Sequence, residues 1–293
     1  TFKQSIFIDL SLRMKLAIIT INYNNVSGLQ KTLESVFRQT CRTFEYVVVD
    51  GASKDGSKEL LEQFSAKADF PFRWISEPDG GIYAAMNKGI RMAHGEYLHF
   101  LNSGDWLADE KVVENMLKTL PDCDIYVGNK IAVRPDGKIQ KGKNSEQPIT
   151  MLTFYRGTIE HTSAYIRRSL FEKYGYYDES LKIVSDWKWY LEVVGLHHAS
   201  VCFTSLYVSC FDTGGISSVN KTLDKAERRK VLETLLPARI LADYDLYSFD
   251  IDQMERMKKY PFLYRCVWLM ERVLFKLEKW QLKYCSWKKE KKK

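Results

Sequence analysis

The sequence contains no uninterrupted run of the roughly 18–20 apolar residues that a membrane-spanning helix needs. Its N-terminus also lacks the basic, apolar and small-residue regions that together make a signal peptide. The first strong strand pattern follows directly after Met14, so we expect residues 1–13 to be a peripheral segment. These absences predict a cytoplasmic protein, or one that attaches peripherally to the inner face of the cell membrane.

The cysteines lack the spacing of a metal site. The chain has six of them, with no CxxC pair and no histidine at metal-ligand spacing. We interpret them as ordinary thiols of a reducing compartment. They are Cys41, Cys123, Cys202, Cys210, Cys266 and Cys285.

Two common phosphate-binding motifs are also missing. Neither a Walker A loop nor the GxGxxG pattern occurs anywhere in the sequence. A phosphate ligand of this protein is therefore not expected to be held on a helix N-terminus in either of these two ways.

Positive charge is concentrated at one end of the chain. The formal net charge is +7, but residues 254–293 contain thirteen Lys or Arg and only four Asp or Glu. This surplus of nine leaves −2 for everything upstream, so the body of the protein is nearly neutral. A nucleic-acid groove would need basic residues spread over the body, and we therefore expect no nucleic-acid partner.

The basic C-terminal segment has the pattern of an amphipathic helix. From Leu263 onward apolar residues recur at helical spacing, and basic residues gather on the other side of the helix. Trp268, Trp280, Trp287 and the closing KKEKKK fit a membrane surface that is rich in anionic lipid. The alternative is a helix that packs on its own domain and keeps a solvated outer face.

Upstream of this segment, predicted strands and helices alternate. Continuous apolar and β-branched runs, typical of buried parallel strands, are each followed by a helical pattern. The first helix is predicted to open at Ser27, with Gln30 completing a capping box. This alternation predicts the α/β class, an open and mostly parallel sheet flanked by helices with ligands at the carboxyl ends of its strands. The predicted strands cover residues 16–21, 44–49, 72–76 and 96–101.

The second half of the chain has a mixed pattern. Residues 124–133 and 138–143 flank a Pro-Asp-Gly turn and predict a hairpin. A helix capped by Ser185 and a strand over residues 200–210 follow. We expect this half to continue the same sheet.

Three aspartates occupy equivalent positions in the first half. Asp50, Asp79 and Asp105 each lie just past the carboxyl end of a predicted parallel strand, in a loop that contains glycine. They should converge on one crevice, where three unpaired carboxylates would repel one another and any phosphate. A hard divalent cation, Mg²⁺ or Mn²⁺, that bridges a diphosphate would remove this repulsion. Taken singly, each aspartate is better explained as a turn former or cap; their shared position favours the functional interpretation.

At these positions the sequence resembles the family 2 glycosyltransferases, which have the GT-A fold. The resemblance implies a nucleotide-sugar transferase in which Tyr23 and Asp50 bind the nucleotide base, with Asn22 nearby, and in which Asp79 helps to hold the nucleoside. It runs from about residue 15 to residue 219 and consists of five segments in the family's order: TINYNN, VVVDGASKDGS, EPDGGIYAAMNKG, GEYLHFLNSGD and SDWKWYLE.

The resemblance also implies a metal site at Asp105, the final aspartate of an acidic motif. Many relatives have two adjacent acids after the second strand, where this chain has Asp50 and a glycine. Many have Asp-x-Asp where this chain has Ser103, a glycine and Asp105. We therefore expect Mg²⁺ or Mn²⁺ to be held weakly, mainly through the diphosphate of the donor. Asn87 and Ser103 complete the predicted donor-binding set.

The catalytic base that the family places in its last acidic segment corresponds to Asp186. With Ser185 as the N-cap, Asp186 would lie in the first turn of a helix, where the helix dipole keeps a carboxylate ionised. One such carboxylate suffices to remove the proton of an acceptor hydroxyl in an inverting displacement. The alternative is a first-turn charge without a catalytic role.

Two further residues are candidates for contact with the acceptor or the diphosphate. One is His161, and the other is Trp187, which could stack on a sugar ring. The alternative for each is structural, because a single histidine beside a strand and a tryptophan at helical spacing more often belong to the core. The loop over residues 212–218 is either a lid near the donor phosphates or the exit from the domain.

These observations predict an inverting glycosyltransferase. It would move a sugar from a nucleoside diphosphate, by resemblance UDP, to a hydroxyl of a glycan or lipid-linked acceptor in bacterial cell-surface polysaccharide synthesis. The predicted layout is a peripheral segment (1–13), a GT-A catalytic domain (14–220) and a helical C-terminal region (221–293). The alternatives are a nucleotidyltransferase, which would need a basic phosphate-binding segment that NYNNVSGL does not contain, and a non-catalytic sugar-binding or scaffold relative.

Overall fold

The computed structural model describes residues 14–144, 148–213 and 220–290. The predicted peripheral segment and most of the predicted lid lie outside these residues. The chain divides into two compact units, the first ending at Leu232 and the second beginning at Glu233. The first unit thus extends past the predicted domain end at residue 220. The reason is that Val231 and Leu232, near the end of a helix, are buried.

The first unit contains nine strands, seven complete α-helices and most of an eighth in the described residues. The strands are β1 (Leu16–Asn22), β2 (Phe44–Asp50), β3 (Phe72–Ser76), β4 (Tyr97–Phe100), β5 (Trp106–Leu107), β6 (Ile125–Val133), β7 (Ile139–Lys141), β8 (Ala164–Arg167) and β9 (Val201–Asp212). The helices are α1 (Val26–Phe37), α2 (Ser57–Lys67), α3 (Ile82–Met92), α4 (Val112–Thr119), α5 (Met151–Arg156), α6 (Ser169–Tyr174), α7 (Ser185–Tyr190) and α8 (Lys221–Leu235). A 3₁₀ turn (His161–Ser163) precedes β8, and a π-helical segment (Leu191–Leu196) follows α7.

All nine strands form one mixed sheet with the order β3-β2-β1-β4-β8-β6-β9-β5, and β7 pairs with β6. Strands β3, β2, β1 and β4 are parallel, which confirms the prediction for the first half. Beyond β4 the sheet changes character, because β8 is antiparallel to both β4 and β6. Strand β9 then runs parallel to β6, so the second half continues the same sheet as expected.

The parallel half is held by apolar burial on both faces. Every residue of β2 is buried, and so are all but one of β1, as expected from their continuous apolar runs. Helix α3 packs on both of these strands. Because the strands are parallel, their carboxyl ends meet at one edge of the sheet. This brings Asp50, the last residue of β2, and the loops that carry Asp79 and Asp105 to that edge.

Two of the predicted helix caps are wrong. Helix α1 begins at Val26 and its N-cap is Asn25, whose side-chain oxygen accepts a hydrogen bond from Gly28 N at 3.2 Å. Asparagine caps as well as serine does, and it comes earlier in the chain than Ser27. Helix α7 begins at Ser185 itself, whose buried hydroxyl has no partner among the described residues. The prediction that Asp186 lies in the first turn is confirmed.

The second unit consists of two helices, α9 (Ala238–Lys258) and α10 (Pro261–Glu290). The helical pattern read from the sequence of α10 is confirmed. No described helix combines the length and the apolar character that crossing a bilayer requires. Large apolar side chains of α10 are exposed, including Phe262, Leu263, Trp268, Leu269, Met270, Val273, Leu274, Phe275, Leu277 and Trp280.

Candidate active site

A cavity of about 920 Å³ lies at the carboxyl edge of the parallel strands. Its walls come from the end of β1, the loops after β2, β3 and β4, and the start of α3. The 3₁₀ turn, α7 and the end of β9 contribute from the second half of the sheet. Its volume is typical of cavities that bind small molecules and cofactors. The charged residues that line it are Asp79, Asp105, Lys130, Glu160, Lys182, Asp186 and Asp212.

Tyr23 and Asp79, two of the predicted donor-binding residues, meet over Gly51. A Cβ atom at Gly51 would lie 2.8 Å from Asp79 Oδ2 and 3.0 Å from the Tyr23 ring, so a larger residue there would displace both side chains. Gly81, with φ at +122°, donates its N–H to Asp79 Oδ1 at 2.9 Å, in a backbone conformation that favours glycine. The structure thus places a fixed carboxylate beside an exposed aromatic ring.

Asp50 does not line the cavity, which corrects its predicted contact with a nucleotide base. The side chain is completely buried. Its Oδ1 accepts hydrogen bonds from Asn22 Nδ2 at 2.7 Å and Ser53 Oγ at 2.5 Å. Its Oδ2 accepts from Ser76 Oγ at 2.6 Å and Ser53 N at 3.0 Å. Both oxygens are engaged in joining β1, β3 and the loop after β2, whereas Asn22 itself does line the cavity.

Of the other two donor-binding candidates, Ser103 lines the cavity and Asn87 does not. Ser103 lines the cavity and receives a hydrogen bond from Asn25 Nδ2 at 3.1 Å. Asn87 is buried away from it and corrects the prediction. Its amide nitrogen donates to Tyr177 O at 2.9 Å and to Glu179 Oε1 at 2.8 Å, and its Oδ1 accepts from Tyr177 N at 3.0 Å. Asn87 therefore fastens α3 to the loop before α7.

Trp187 is a core residue, so its predicted contact with the acceptor is wrong. Only 1% of its surface is exposed, and its indole N–H donates to Phe154 O at 2.9 Å. The neighbouring Trp189 is buried as well, with its N–H bonded to Gly175 O at 2.8 Å. Buried tryptophan normally satisfies its single donor in this way. No face of Trp187 is left for a sugar.

Asp105 is a buried carboxylate at the floor of the cavity. Its Oδ1 accepts a hydrogen bond from the backbone N–H of Asp212 at 3.0 Å. Burial raises the pKa of Asp105 to about 7, and the nearby Asp212 carboxylate acts in the same direction. The backbone hydrogen bond and the charges of Lys31 and Lys130 oppose this rise in pKa. A metal cation bound in the cavity, in addition to these two lysines, would favour the ionised form of Asp105 further.

Asp105 and Asp212 together fit a hard divalent cation that takes some of its oxygen ligands from these carboxylates and the rest from a diphosphate. Asp105 supplies a desolvated carboxylate, and Asp212 brings a second one to the same wall of the cavity. Across residues 14–144, 148–213 and 220–290, no group of three metal-ligating side chains occurs. The described residues by themselves therefore supply fewer ligands than a tightly held ion needs.

Asp186 faces the same cavity from the first turn of α7. The hydroxyl of Tyr83, on α3, lies 2.8 Å from Asp186 Oδ1 and 2.5 Å from the carbonyl oxygen of Ile183. Asp186 is only partly buried, and it forms no ion pair with a described lysine or arginine that would block it. A carboxylate placed in this way can accept a proton from a ligand in the cavity.

His161 lines the cavity from the 3₁₀ turn. Its Nε2 lies 2.9 Å from the hydroxyl of Tyr177, and its ring stacks on Phe100 with centroids 4.9 Å apart. Burial lowers the pKa of His161, although the Asp186 and Glu160 carboxylates oppose this effect. The imidazole is therefore neutral at neutral pH and can exchange hydrogen bonds with a ligand without adding charge.

The family model for glycosyl transferase family 2 matches residues 17–175, which include the parallel strands from Ala17 onward and the cavity loops after β2, β3 and β4. The chain belongs to this family. The family assignment and the α/β prediction are thereby confirmed, and so is the prediction of a glycosyltransferase enzyme.

Curated relatives of this family 2 protein agree with the assignment. It is 34% identical over 216 residues to a protein named as an uncharacterized glycosyltransferase of Mycobacterium tuberculosis (strain CDC 1551 / Oshkosh), covering 69% of this chain and 76% of that one. It is 24% identical over 230 residues to the PGL/p-HBAD biosynthesis glycosyltransferase of Mycobacterium bovis (strain BCG / Pasteur 1173P2), covering 77% and 87%.

Solved structures show the same fold at lower identity. Residues 1–349 of S. aureus TarS, in complex with UDP, match with a TM-score of 0.57 and 20% identity over 79% of this chain and 72% of that one. The mannosyltransferase PcManGT of Pyrobaculum calidifontis, in complex with GDP-Man and Mn²⁺, matches with a TM-score of 0.52 and 19% identity over 67% and 56%.

The cavity residues that the sequence did not single out include Tyr83 and Lys130, and Asp212 was named only as the first residue of the loop over residues 212–218. Tyr83 lies inside a helical apolar pattern and has the spacing of a core residue. Asp212 and Lys130 lie on strands of the second half of the sheet, far along the chain from the acidic motif. Asp212 lies at the end of a strand, which is the same signal that pointed to Asp105. The mixed strand pattern of the second half of the sheet did not show which strand ends face the cavity.

Proposed function

We propose that this family 2 protein is an inverting glycosyltransferase that moves a sugar from UDP to a hydroxyl of a glycan or lipid-linked acceptor, in cell-surface polysaccharide synthesis. The observation that carries the proposal is that one cavity holds Asp79 and Asp105 together with Asp186. The first two suit a metal-assisted diphosphate donor, and the third suits an acceptor hydroxyl. TarS structures with UDP and with UDP-GlcNAc, which share the fold, support UDP as the nucleotide.

In the proposed reaction Asp186 removes the proton of the acceptor hydroxyl. The acceptor oxygen forms a bond to the anomeric carbon as the bond from that carbon to the diphosphate oxygen breaks. Attack from the face opposite the diphosphate inverts the configuration at the anomeric carbon. The proton ends on Asp186, and the electron pair of the broken bond leaves with the nucleoside diphosphate.

On the donor side, Tyr23, Asn22 and Asp79 hold the nucleoside and Ser103 lies beside the phosphates. Asp105 and Asp212 would hold a divalent cation, Mg²⁺ or Mn²⁺, which offsets the negative charge of the diphosphate. His161, neutral and fixed by Tyr177, contacts the acceptor or the diphosphate. The Mn²⁺ complex of a mannosyltransferase with the same fold supports the cation.

A donor screen by thermal shift is expected to show metal-dependent stabilisation by UDP-sugars. A ligand at about 100 times its dissociation constant adds about 2.7 kcal/mol to the free energy of unfolding, which raises the melting temperature measurably. The screen compares UDP-, GDP- and dTDP-sugars, each with Mn²⁺ and with EDTA. A larger shift with a GDP-sugar would overturn the choice of nucleotide, and no shift with any donor would contradict the proposed reaction.

We further propose that α10 binds an anionic membrane surface. Its exposed apolar side chains include Trp268 and Trp280, and exposed basic residues lie along the same helix. This combination is typical of a helix that lies in the plane of a membrane interface. Binding there would bring the protein to a lipid-linked acceptor.

Reversing three charges of α10 is expected to weaken membrane binding by at least tenfold, since each basic residue contributes about 1 kcal/mol near an anionic surface. The variant carries Arg272→Glu, Lys276→Glu and Lys279→Glu, and co-sedimentation with phosphatidylserine-containing vesicles measures the binding. The matched control places the same charge change on exposed residues of the first unit, with Lys54→Glu, Lys58→Glu and Lys67→Glu. Equal binding by the two variants, or binding to neutral vesicles alone, would contradict the proposal.

A further inference from the structure

Tyr83 has one hydroxyl proton and two acceptors within reach. The hydroxyl lies 2.5 Å from the carbonyl oxygen of Ile183 and 2.8 Å from Asp186 Oδ1. Both distances are in the range of O–H···O hydrogen bonds, and the phenol can donate to only one acceptor at a time with good geometry. The side chain is 5% exposed, so water does not compete freely for the hydroxyl.

The charge of Asp186 decides which of the two acceptors is favoured. When the carboxylate is ionised, the phenol donates to it, because hydrogen bonds to a charged acceptor are stronger than those to a neutral one. When the other carboxylate oxygen carries a proton, Oδ1 becomes a neutral carbonyl acceptor, and the phenol proton can turn to the nearer Ile183 carbonyl oxygen. The phenol proton thus has an acceptor in each state of Asp186 without any movement of heavy atoms.

We infer that Tyr83 is the positioning residue of the proposed base, holding the ionised Asp186 by its Oδ1 so that the other carboxylate oxygen is presented to the acceptor. The inference rests on the proposed function, in which Asp186 accepts the proton. Across the transfer, the acceptor O–H bond breaks and an O–H bond forms on Asp186. Tyr83 keeps its single proton throughout and changes only the direction in which it donates.

Two observations show that Tyr83 does not act as the proton acceptor itself. Burial, together with the adjacent Asp186 carboxylate, raises the pKa of Tyr83, so the phenol stays protonated throughout the working range of pH. Its hydroxyl is directed to α7 and the residues just before it.

Helix α3 also connects the proposed base to the loop that carries Asp79. Gly81, just before the helix, fixes the Asp79 carboxylate, and Asn87, one turn after Tyr83, fastens the loop before α7. Helix α3 thus contacts groups on both the donor side and the acceptor side of the cavity.

Replacing Tyr83 by Phe is expected to lower kcat by about 10- to 100-fold, the loss that corresponds to one hydrogen bond to a charged group. The dissociation constant for UDP should not change. The acidic limb of the pH–rate profile should move to higher pH, because the ionised carboxylate loses a donor. The other groups that face Asp186 are His161, Tyr177 and Tyr190, with Glu160 and Lys182 in the same cavity, and all of them are kept in the variant.

A double-mutant cycle separates positioning from a general effect on folding. In an Asp186→Asn background, Tyr83→Phe should cause no further loss of the residual rate, whereas a folding defect would lower it equally in both backgrounds. Asn87→Ser is the structural control, expected to lower the melting temperature without moving the pH–rate profile. Equal losses in both backgrounds, or an unchanged pH profile, would overturn the inference. If Asp186→Asn itself retained full activity, the proposed base would fail instead, which is a distinguishable result.

Discussion

Replacing Asp186 by Asn is expected to lower the rate of sugar transfer by about 100- to 10,000-fold, the range that a positioned general base contributes. The amide keeps the shape of the side chain and can still bond to Tyr83, but it cannot accept the proton of an acceptor hydroxyl. UDP binding should be unchanged, because Asp186 is not among the residues that are proposed to hold the nucleoside. Release of UDP under saturating donor measures the rate, and thermal shift measures the binding.

The matched control for this variant is Asp178→Asn. Asp178 precedes α7, bonds to Lys188 at 2.8 Å and does not line the cavity. The Lys188 hydrogen bond is the main reason that the pKa of Asp178 falls to about 2, so its loss should affect stability and leave the transfer rate at saturating donor unchanged. Full activity in Asp186→Asn would place the base elsewhere in the cavity, and loss of UDP binding would move Asp186 to the donor site.

Replacing Asp105 by Asn is expected to have opposite effects on donor binding and on stability. Metal-dependent stabilisation by a UDP-sugar should disappear, and transfer should fall by at least about 100-fold, because a principal charged ligand of the cation is lost. The metal-free protein should nevertheless melt at a higher temperature at pH 8. A buried carboxylate that carries charge is unfavourable, and the neutral amide removes that cost.

The pH dependence of stability follows from the raised pKa of Asp105, which is about 7 in the folded protein against an ordinary value of 3.8. Below both pKa values the Asp105 carboxyl is protonated in the folded and in the unfolded protein, so it does not lower the free energy of unfolding. As the pH rises from about 4 to 7, the unfolded chain releases the proton while the folded protein retains it, so this group lowers stability progressively. The Asn variant should therefore gain melting temperature over the parent between pH 4 and pH 7, with the full difference above pH 7.

An exposed aspartate close by in the chain provides the control. Asp109→Asn changes the same functional group near the start of α4, where the Asp109 side chain accepts a hydrogen bond from Lys111 N at 2.7 Å. It should not alter the metal dependence of donor binding or the rate of transfer. An Asp105→Asn variant that kept its Mn²⁺-dependent donor shift would show that the cation is held without this carboxylate.

The parallel half of the fold could be predicted because its signals are local. Continuous apolar runs specify β1 and β2, glycine-containing loops follow them, and a parallel sheet brings all carboxyl ends to one edge. The position of Asp79 and Asp105 in the cavity follows from this pattern alone. Asp50 has the same pattern but a different environment, because Asn22, Ser53 and Ser76 come from three segments and together enclose it.

The sequence by itself determined the family, the order of the elements and the residues at the strand ends, because each of these is recorded in a short stretch of the chain. Only the tertiary structure decided which of those residues face the ligand. Asn87 and Trp187 lie within the family's sequence motifs, yet both are buried and donate hydrogen bonds to backbone carbonyl oxygens instead of facing the cavity. Tyr83 and Asp186 lie a hundred residues apart, and only the packing of α3 against the segment that begins α7 brings their side chains within hydrogen-bond distance.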